Sequence, residues 1–305
     1  MLGLASIDRV TSDDIITTVR GLMPGVISDL EELIAIPSIA FPGYPDEPVH
    51  RMAERTLELV REAGFANAEL MDVPWGYPPI YGEIAGPPGA PVVVLYAHYD
   101  VQPAAASQGW TTEPFTATRK DDGRIYGRGA ADDKSGIVTH LGTLRAFDGT
   151  PPVTLRIILE GMEETESNLE EFVEAHPHLF DCDLFLITDM GNLEVGEPVL
   201  TTGLRGDVSC TVTVRTLDHP LHSGVFGGAA PDAMMALARL LSSLVDDAGD
   251  VAVAGVTGGA WPGTSVSEEQ FRSDAAVLPG VSLVGTGRVG DRLWAKPSIN
   301  ASGVD

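Results

Sequence analysis

The chain has 305 residues, 44 of them acidic and 19 basic, for a formal net charge of -25. Binding nucleic-acid phosphates requires a basic face, so this balance argues against a nucleic-acid partner, and the excess acid reads as a solvated surface. The 44% hydrophobic content can fill a large core, the length allows two domains, and no apolar run is long enough to span a membrane.

In chain order, the first predicted element is a helix over 12–35. Thr11-Ser12-Asp13 offers its cap, and Ile16, Val19, Met23, Val26, Leu30 and Leu33 repeat at helical spacing up to Pro37. A second helix is expected over 48–63, stopped by Gly64. Short strands follow near 67–73 and 79–84, then a buried strand over 91–97. Asp121-Asp122-Gly123-Arg124 reads as a turn between two strands. Ser135–Phe147 carries Ile137, Leu141, Leu144 and Phe147 at helical spacing, residues 153–159 form another apolar run, 168–180 a further helix and 184–188 a third buried strand. Strand, helix, strand, helix, strand favours an α/β fold: a mostly parallel sheet with helices on both faces.

The pattern changes after Gly203. Asp207–Arg215 alternates apolar and polar residues, as a half-exposed antiparallel strand does. Pro231-Asp232 then opens a helix with Met234, Met235, Leu237, Leu240, Leu241 and Leu244, the proline in its first turn. A second, smaller α+β domain is therefore expected over 207–305, after a first domain over 1–206. Trp294–Asp305 reads as a strand beginning without a successor, so the second domain is expected to be incomplete. Cys182 and Cys210 adjoin apolar segments and are expected to be buried free thiols. Met1–Asp8 lacks the basic region and long apolar core of a secretory signal, and the expected location is cytoplasmic.

Chemistry concentrates where the buried runs end. Val92–Ala97 leads into His98-Tyr99-Asp100, Val153–Leu159 into Glu160-Gly161-Met162-Glu163-Glu164, and Leu184–Thr188 into Asp189. Ligands of open α/β folds bind at the carboxyl ends of such strands. Gly127-Arg128-Gly129-Ala130-Ala131-Asp132-Asp133-Lys134 adds two carboxylates just before a helix. A His can bind a metal through one nitrogen while a carboxylate fixes the other, which suits His98-x-Asp100. Adjacent carboxylates at Asp132-Asp133 are relieved by divalent ions, about 3.5–4 Å apart in two-metal sites, although an Asp before a helix is also a common cap. Of Glu163 and Glu164, one can bind metal while the other accepts a proton from water. Asp189, at the end of a buried strand, requires a metal or an arginine. The inventory is that of a two-metal hydrolase.

The segments Ala97-His98-Tyr99-Asp100-Val101-Gln102-Pro103, Gly127–Gly136 and Gly161-Met162-Glu163-Glu164 resemble the M20 family of metallopeptidases. Leu221-His222-Ser223-Gly224-Val225-Phe226-Gly227-Gly228, Gly109-Trp110 and Pro114-Phe115 resemble its dipeptidase and carnosinase-like branch. The resemblance implies cleavage of dipeptides or small peptides with two divalent ions, zinc first, manganese or cobalt as alternatives. His98 and Asp189 would hold one ion, Glu164 the other, and Asp132 would bridge. Glu163 would be the general base, Asp100 would orient His98, and His222 would stabilise the oxyanion. Residues 207–305 would be a lid that forms a homodimer. Arg205 matches a family segment without an assigned role. The resemblance also implies a cis Asp132-Asp133 peptide.

Two departures accompany the resemblance. The family supplies a His to the second ion from a later segment, and His50, His140, His176, His178 and His219 lie in the wrong places for it. The usual lid arginine is absent and family members are longer, so the chain is expected to be an N-terminal part. Two alternatives stay open: a deacylase or desuccinylase of N-acyl amino acids, and a catalytically impaired metal-binding fragment.

Overall fold

A computed structural model describes residues 12–192 and 195–304. The chain divides into two compact units, Met1–Gly191 and Asn192–Asp305. The first unit contains helices α1 (Ser12–Ile34), α2 (Glu47–Ala63), α3 (Lys134–Ala146) and α4 (Leu169–Ala175). Its strands are β1 (Glu69–Leu70), β2 (Ile80–Ile84), β3 (Val92–His98), β4 (Thr118–Arg119), β5 (Ile125–Tyr126), β6 (Thr154–Glu160) and β7 (Leu184–Ile187). Among the described residues no helix is long and apolar enough to cross a membrane. Met1–Asp8 and the capping side chains of Thr11-Ser12-Asp13 lie outside what is described.

Five strands form one sheet in the order β1-β2-β6-β3-β7. The three strands that end in the candidate site residues are neighbours: β3 pairs in parallel with β6 on one side and β7 on the other. β2 and β1 extend the sheet beyond β6 by antiparallel pairing. β4 and β5 form a separate antiparallel pair around the expected turn.

The period of two along a strand assigns residues to the two faces. Leu95, Ala97, Ile157 and Leu159 join the larger core, with Leu33 and Ile34 of α1, Met52 and Val60 of α2, and Ile137, Leu141 and Leu144 of α3. Val94, Tyr96 and Ile158 form a smaller core with Leu169 and Phe180. Helices therefore cover both faces, in keeping with the expected α/β class. Only the C-terminal half of α1 joins the core: Ile16, Val19 and Met23 are exposed, whereas Leu30, Leu33 and Ile34 are buried. The close approach of α1 to α3 depends on Gly142, where a Cβ would come 3.1 Å from Val26.

Three expected elements differ from those observed. The helix over 168–180 stops at Ala175, and Pro177–Leu179 forms a separate 3-10 turn. Pro177 biases the preceding residue away from helical geometry, and His176 has φ -130° and ψ 48°. Residues 207–215 form no strand and are exposed apart from the half-buried Val214; alternation alone does not make a strand without a partner to complete its hydrogen bonds. Asp291–Ala295 forms a π-helical turn where the last strand was expected to begin.

The second unit contains α5 (Ser223–Phe226), α6 (Ala233–Ser243) and α7 (Glu268–Asp274). Asp232 caps α6 by accepting from Met235 N at 2.8 Å, so Pro231 precedes the helix rather than occupying its first turn. Both cysteines are free; Cys182 is half-buried, and Cys210 is exposed in a segment that forms no strand, contrary to the expected burial.

Candidate metal centre

The parallel pairing of β3 with β6 sets His98 opposite Glu160, and β7 aligns Ile187 with Tyr96. The loops after all three strands therefore open on one rim. His98 and Asp100 are both fully buried there. Nδ1 of His98 is 3.1 Å from the Asp100 carbonyl oxygen and 3.4 Å from its carboxylate. Its Nε2 is 2.9 Å from Asp132 Oδ1, 3.7 Å from Asp189 Oδ2 and 3.8 Å from Glu163 Oε2. Nδ1–H directed at Asp100 leaves Nε2 facing three carboxylates, so loss of its proton would turn its lone pair on the position of a metal ion.

Asp100 also organises the acidic loop. Its two oxygens accept from Glu163 N and Glu164 N, each at 3.0 Å. Glu164 is held by Gln102, whose Nε2 donates to Glu164 Oε2 at 2.6 Å. The other oxygen, Oε1, is buried and has no hydrogen-bond partner. An unsatisfied buried carboxylate oxygen is costly, and a divalent cation is the partner such an oxygen fits.

The Asp132-Asp133 peptide is cis. The two side chains part company: Asp132 faces His98, while Asp133 caps α3, accepting Gly136 N at 3.2 Å through Oδ1 and His98 N at 3.2 Å through Oδ2. α3 can begin so close to β7 because residue 136 is glycine; a Cβ there would lie 2.3 Å from Asp133 Oδ1 and 2.5 Å from Thr188 Oγ1. Lys134 is fully buried and ties the loop to the end of α1, donating to the carbonyls of Leu33 at 2.8 Å and Ile36 at 2.7 Å. Burial pushes its ammonium down to about 7.

Two sets of groups have ligand atoms within 4.8 Å of one another: His98, Asp133 and Asp189, and His98, Asp132 and Glu164. The fold thus brings together His98, Asp100, Asp132, Glu163, Glu164 and Asp189. His222 belongs to the second unit, where it is exposed and its Nδ1 accepts from Gly224 N at 3.1 Å. His140 is buried on α3, its Nε2 2.9 Å from both the Tyr96 carbonyl and Thr188 Oγ1.

Titration reflects this crowding. Burial pushes the Glu163 carboxyl up to about 7, with the charges of Asp189, Glu164 and Asp100 adding to burial and that of His98 opposing it. Burial likewise raises Glu164 and Asp189. Burial lowers His98, but the hydrogen bond and charge of Asp100, with Asp133 and Asp189, outweigh it and raise the imidazole to about 10. A divalent cation would relieve the repulsion among the carboxylates and displace the imidazole proton. The donor set, one imidazole with several carboxylates, fits zinc or manganese.

Sequence reading missed Gln102 as a support of this centre, whereas the cap alternative read for the Asp132-Asp133 pair is observed at Asp133. The signal for Gln102 was present: His98, Asp100 and Gln102 alternate along one extended segment, so all three can reach the same side.

These features define a candidate hydrolytic metal centre in an α/β fold, and comparison places the chain in a family. Residues 94–291 match peptidase family M20/M25/M40. The chain belongs to this family, in its dipeptidase and carnosinase-like branch. It is 44% identical over 221 residues to the cysteinylglycine-S-conjugate dipeptidase of Corynebacterium striatum, covering 70% of this chain and 48% of that protein. It is 37% identical over 248 residues to the beta-Ala-His dipeptidase of Rattus norvegicus, covering 75% of this chain and 50% of that protein. The structure of the dipeptidase Dug1p from Saccharomyces cerevisiae matches with a TM-score of 0.67 at 27% identity, over 87% of this chain and 61% of that one. The chain spans about half the length of the two curated relatives.

Proposed function

We propose that this chain carries the metal-holding residues of a hydrolase that cleaves the amide bond of dipeptides or small peptides. His98 and Asp189 would hold one divalent ion and Glu164 the other, with Asp132 available to both. Zinc is the first candidate, manganese or cobalt the alternatives; when bound, such ions supply Lewis acidity at the scissile carbonyl and lower the pKa of water.

The protein's own groups do the rest. Asp100 orients His98 and fixes the backbone of Glu163 and Glu164. Glu163 accepts the proton of the attacking water and returns it to the leaving amine, a task suited to a carboxyl raised to about 7 by burial. His222 donates to the oxyanion of the tetrahedral intermediate. The proposal includes residues 1–206 as the catalytic domain, residues 207–305 as the lid through which a homodimer forms, and a cytoplasmic location.

The observation that carries this reading is His98 Nε2 within 3.8 Å of Asp132, Glu163 and Asp189 oxygens, beside the partnerless Glu164 Oε1. Cysteinylglycine and β-alanylhistidine, the dipeptides in the relatives' names, are the first substrates to assay with zinc or manganese. N-succinyl and N-acetyl amino acids form the comparison arm. Release of amino acids from dipeptides, lowered roughly 10²–10⁴-fold in Glu163→Gln, is the expected result. Preference for the acyl amino acids would favour deacylation, and metal binding without turnover of either class would favour a non-catalytic metal-binding chain.

A further inference from the structure

Glu160 ends β6 and is 1% exposed, yet the roles assigned above leave it unused. A carboxylate at that depth is costly unless hydrogen-bonded. Two hydroxyls meet the need. Tyr96, on neighbouring β3, donates to Glu160 Oε2 at 2.5 Å, and Ser167 donates to Oε1 in a short contact. Burial raises the Glu160 carboxyl, while donation from Ser167 and Tyr96 opposes that rise.

The placement of these partners is informative. Ser167 lies seven residues after Glu160, so their contact closes the intervening segment into a ring. That ring contains Glu163 and Glu164. Its middle is fastened by the two backbone N–H groups on Asp100, and its ends by the carboxylate of Glu160. Both fastenings reach β3 or its direct continuation, the segment that also carries His98. The turn has little freedom on its inner side, because a Cβ at Gly161 would lie 2.3 Å from the Tyr99 ring. Leu169 N donates to Ser167 Oγ at 3.1 Å, which joins the ring to the start of α4.

We propose that Glu160 is a positioning residue: by joining the hydroxyls of Tyr96 and Ser167 it holds the turn between them so that Glu163 and Glu164 face His98. This rests on the reading of those carboxylates as the metal and proton-transfer groups. A merely structural buried acid would support the whole unit evenly, whereas a clamp acts first on the turn it closes.

Hydrogen exchange at single amides, together with zinc titration, tests the proposal. In Glu160→Ala, the Glu163 and Glu164 amides are expected to exchange about tenfold faster or more, the loss of one to two net hydrogen bonds. Amides in the middle of β6 and α3 keep their rates. Glu160→Gln rescues protection, since its carbonyl accepts from Tyr96 and its NH2 can donate to Ser167. Zinc affinity is expected to fall about 10–100-fold in Glu160→Ala and to recover in the Gln variant, the range typical of groups that orient ligands. Should Glu160→Ala not fold, Ser167→Ala removes one arm from an exposed position and is expected to loosen the same two amides. Unchanged exchange at Glu163 and Glu164, or acceleration shared evenly with the core, overturns the clamp. If the unsubstituted protein binds no zinc, the metal-centre reading fails, and the exchange arm still decides the clamp.

Discussion

The carboxylate of Asp100 lies 3.4 Å from Nδ1 of His98 and accepts, at 3.0 Å each, the backbone N–H groups of Glu163 and Glu164. One buried acid thus orients the imidazole and fixes the loop that presents its neighbouring carboxylates. Asp100→Asn retains the shape but replaces one acceptor oxygen with a donor that faces a backbone N–H. The expected outcome is zinc affinity weakened about 10–100-fold and unfolding free energy lowered by about 1–3 kcal/mol. Calorimetric titration and urea denaturation measure the two effects; native-like values in both would remove Asp100 from the centre.

Glu163 and Glu164 are adjacent, but their expected losses differ. Glu163→Gln is expected to leave zinc binding largely intact and to lower dipeptide turnover roughly 10²–10⁴-fold, the usual worth of a positioned proton shuttle. Glu164→Gln is expected to weaken metal binding itself. Near-normal turnover in Glu163→Gln would transfer the base role to another group.

One imidazole serves both candidate ligand sets among the described residues. The set with Asp189 and the set with Glu164 cannot both use His98 Nε2 at full strength. Metal analysis under limiting zinc is therefore expected to give closer to one tightly held ion than two per chain. Two tight ions with vigorous dipeptide turnover would show that another group supplies the missing ligand.

His140, which is not among the candidate ligands, provides a separate pH test. Burial lowers it from 6.5 to about 4, against a smaller upward pull from the Tyr96 carbonyl. The native state therefore keeps it neutral where the unfolded chain takes up a proton. Above pH 6.5 its contribution is fully present, and it is lost as pH falls from 6.5 through about 4. At about 1.4 kcal/mol per pH unit the loss is on the order of 3 kcal/mol. Urea denaturation at pH 7 and pH 4.5 is expected to show a smaller difference in His140→Gln than in the unsubstituted protein. An equal difference in both would mean that His140 titrates normally in the folded chain.

Much of the first unit was legible in the sequence. The apolar runs before His98, Glu160 and Asp189 are observed as β3, β6 and β7, and the spacing from Ser135 to Phe147 as α3. Buried strands and amphipathic helices leave a record within about ten residues, because period and caps are local properties. Local reading also showed which residues stand at the strand ends. It failed where an element depends on a distant partner. Asp207–Arg215 alternates correctly but forms no strand, since among the described residues no neighbour completes its ladder.

The tertiary structure alone decided how the chemical groups meet. The order β6-β3-β7 sets the three loops side by side. Contacts across 34 residues bring Asp132 to His98, and contacts across 63 and 64 residues bring the amides of Glu163 and Glu164 to Asp100. Only in three dimensions do Asp132 and Asp133 take different partners, one facing His98 and the other capping α3. A linear chain specifies residue types and local geometry. Which carboxylate has its hydrogen bonds filled by backbone, and which retains a buried oxygen for a cation, follows from strand pairing and burial.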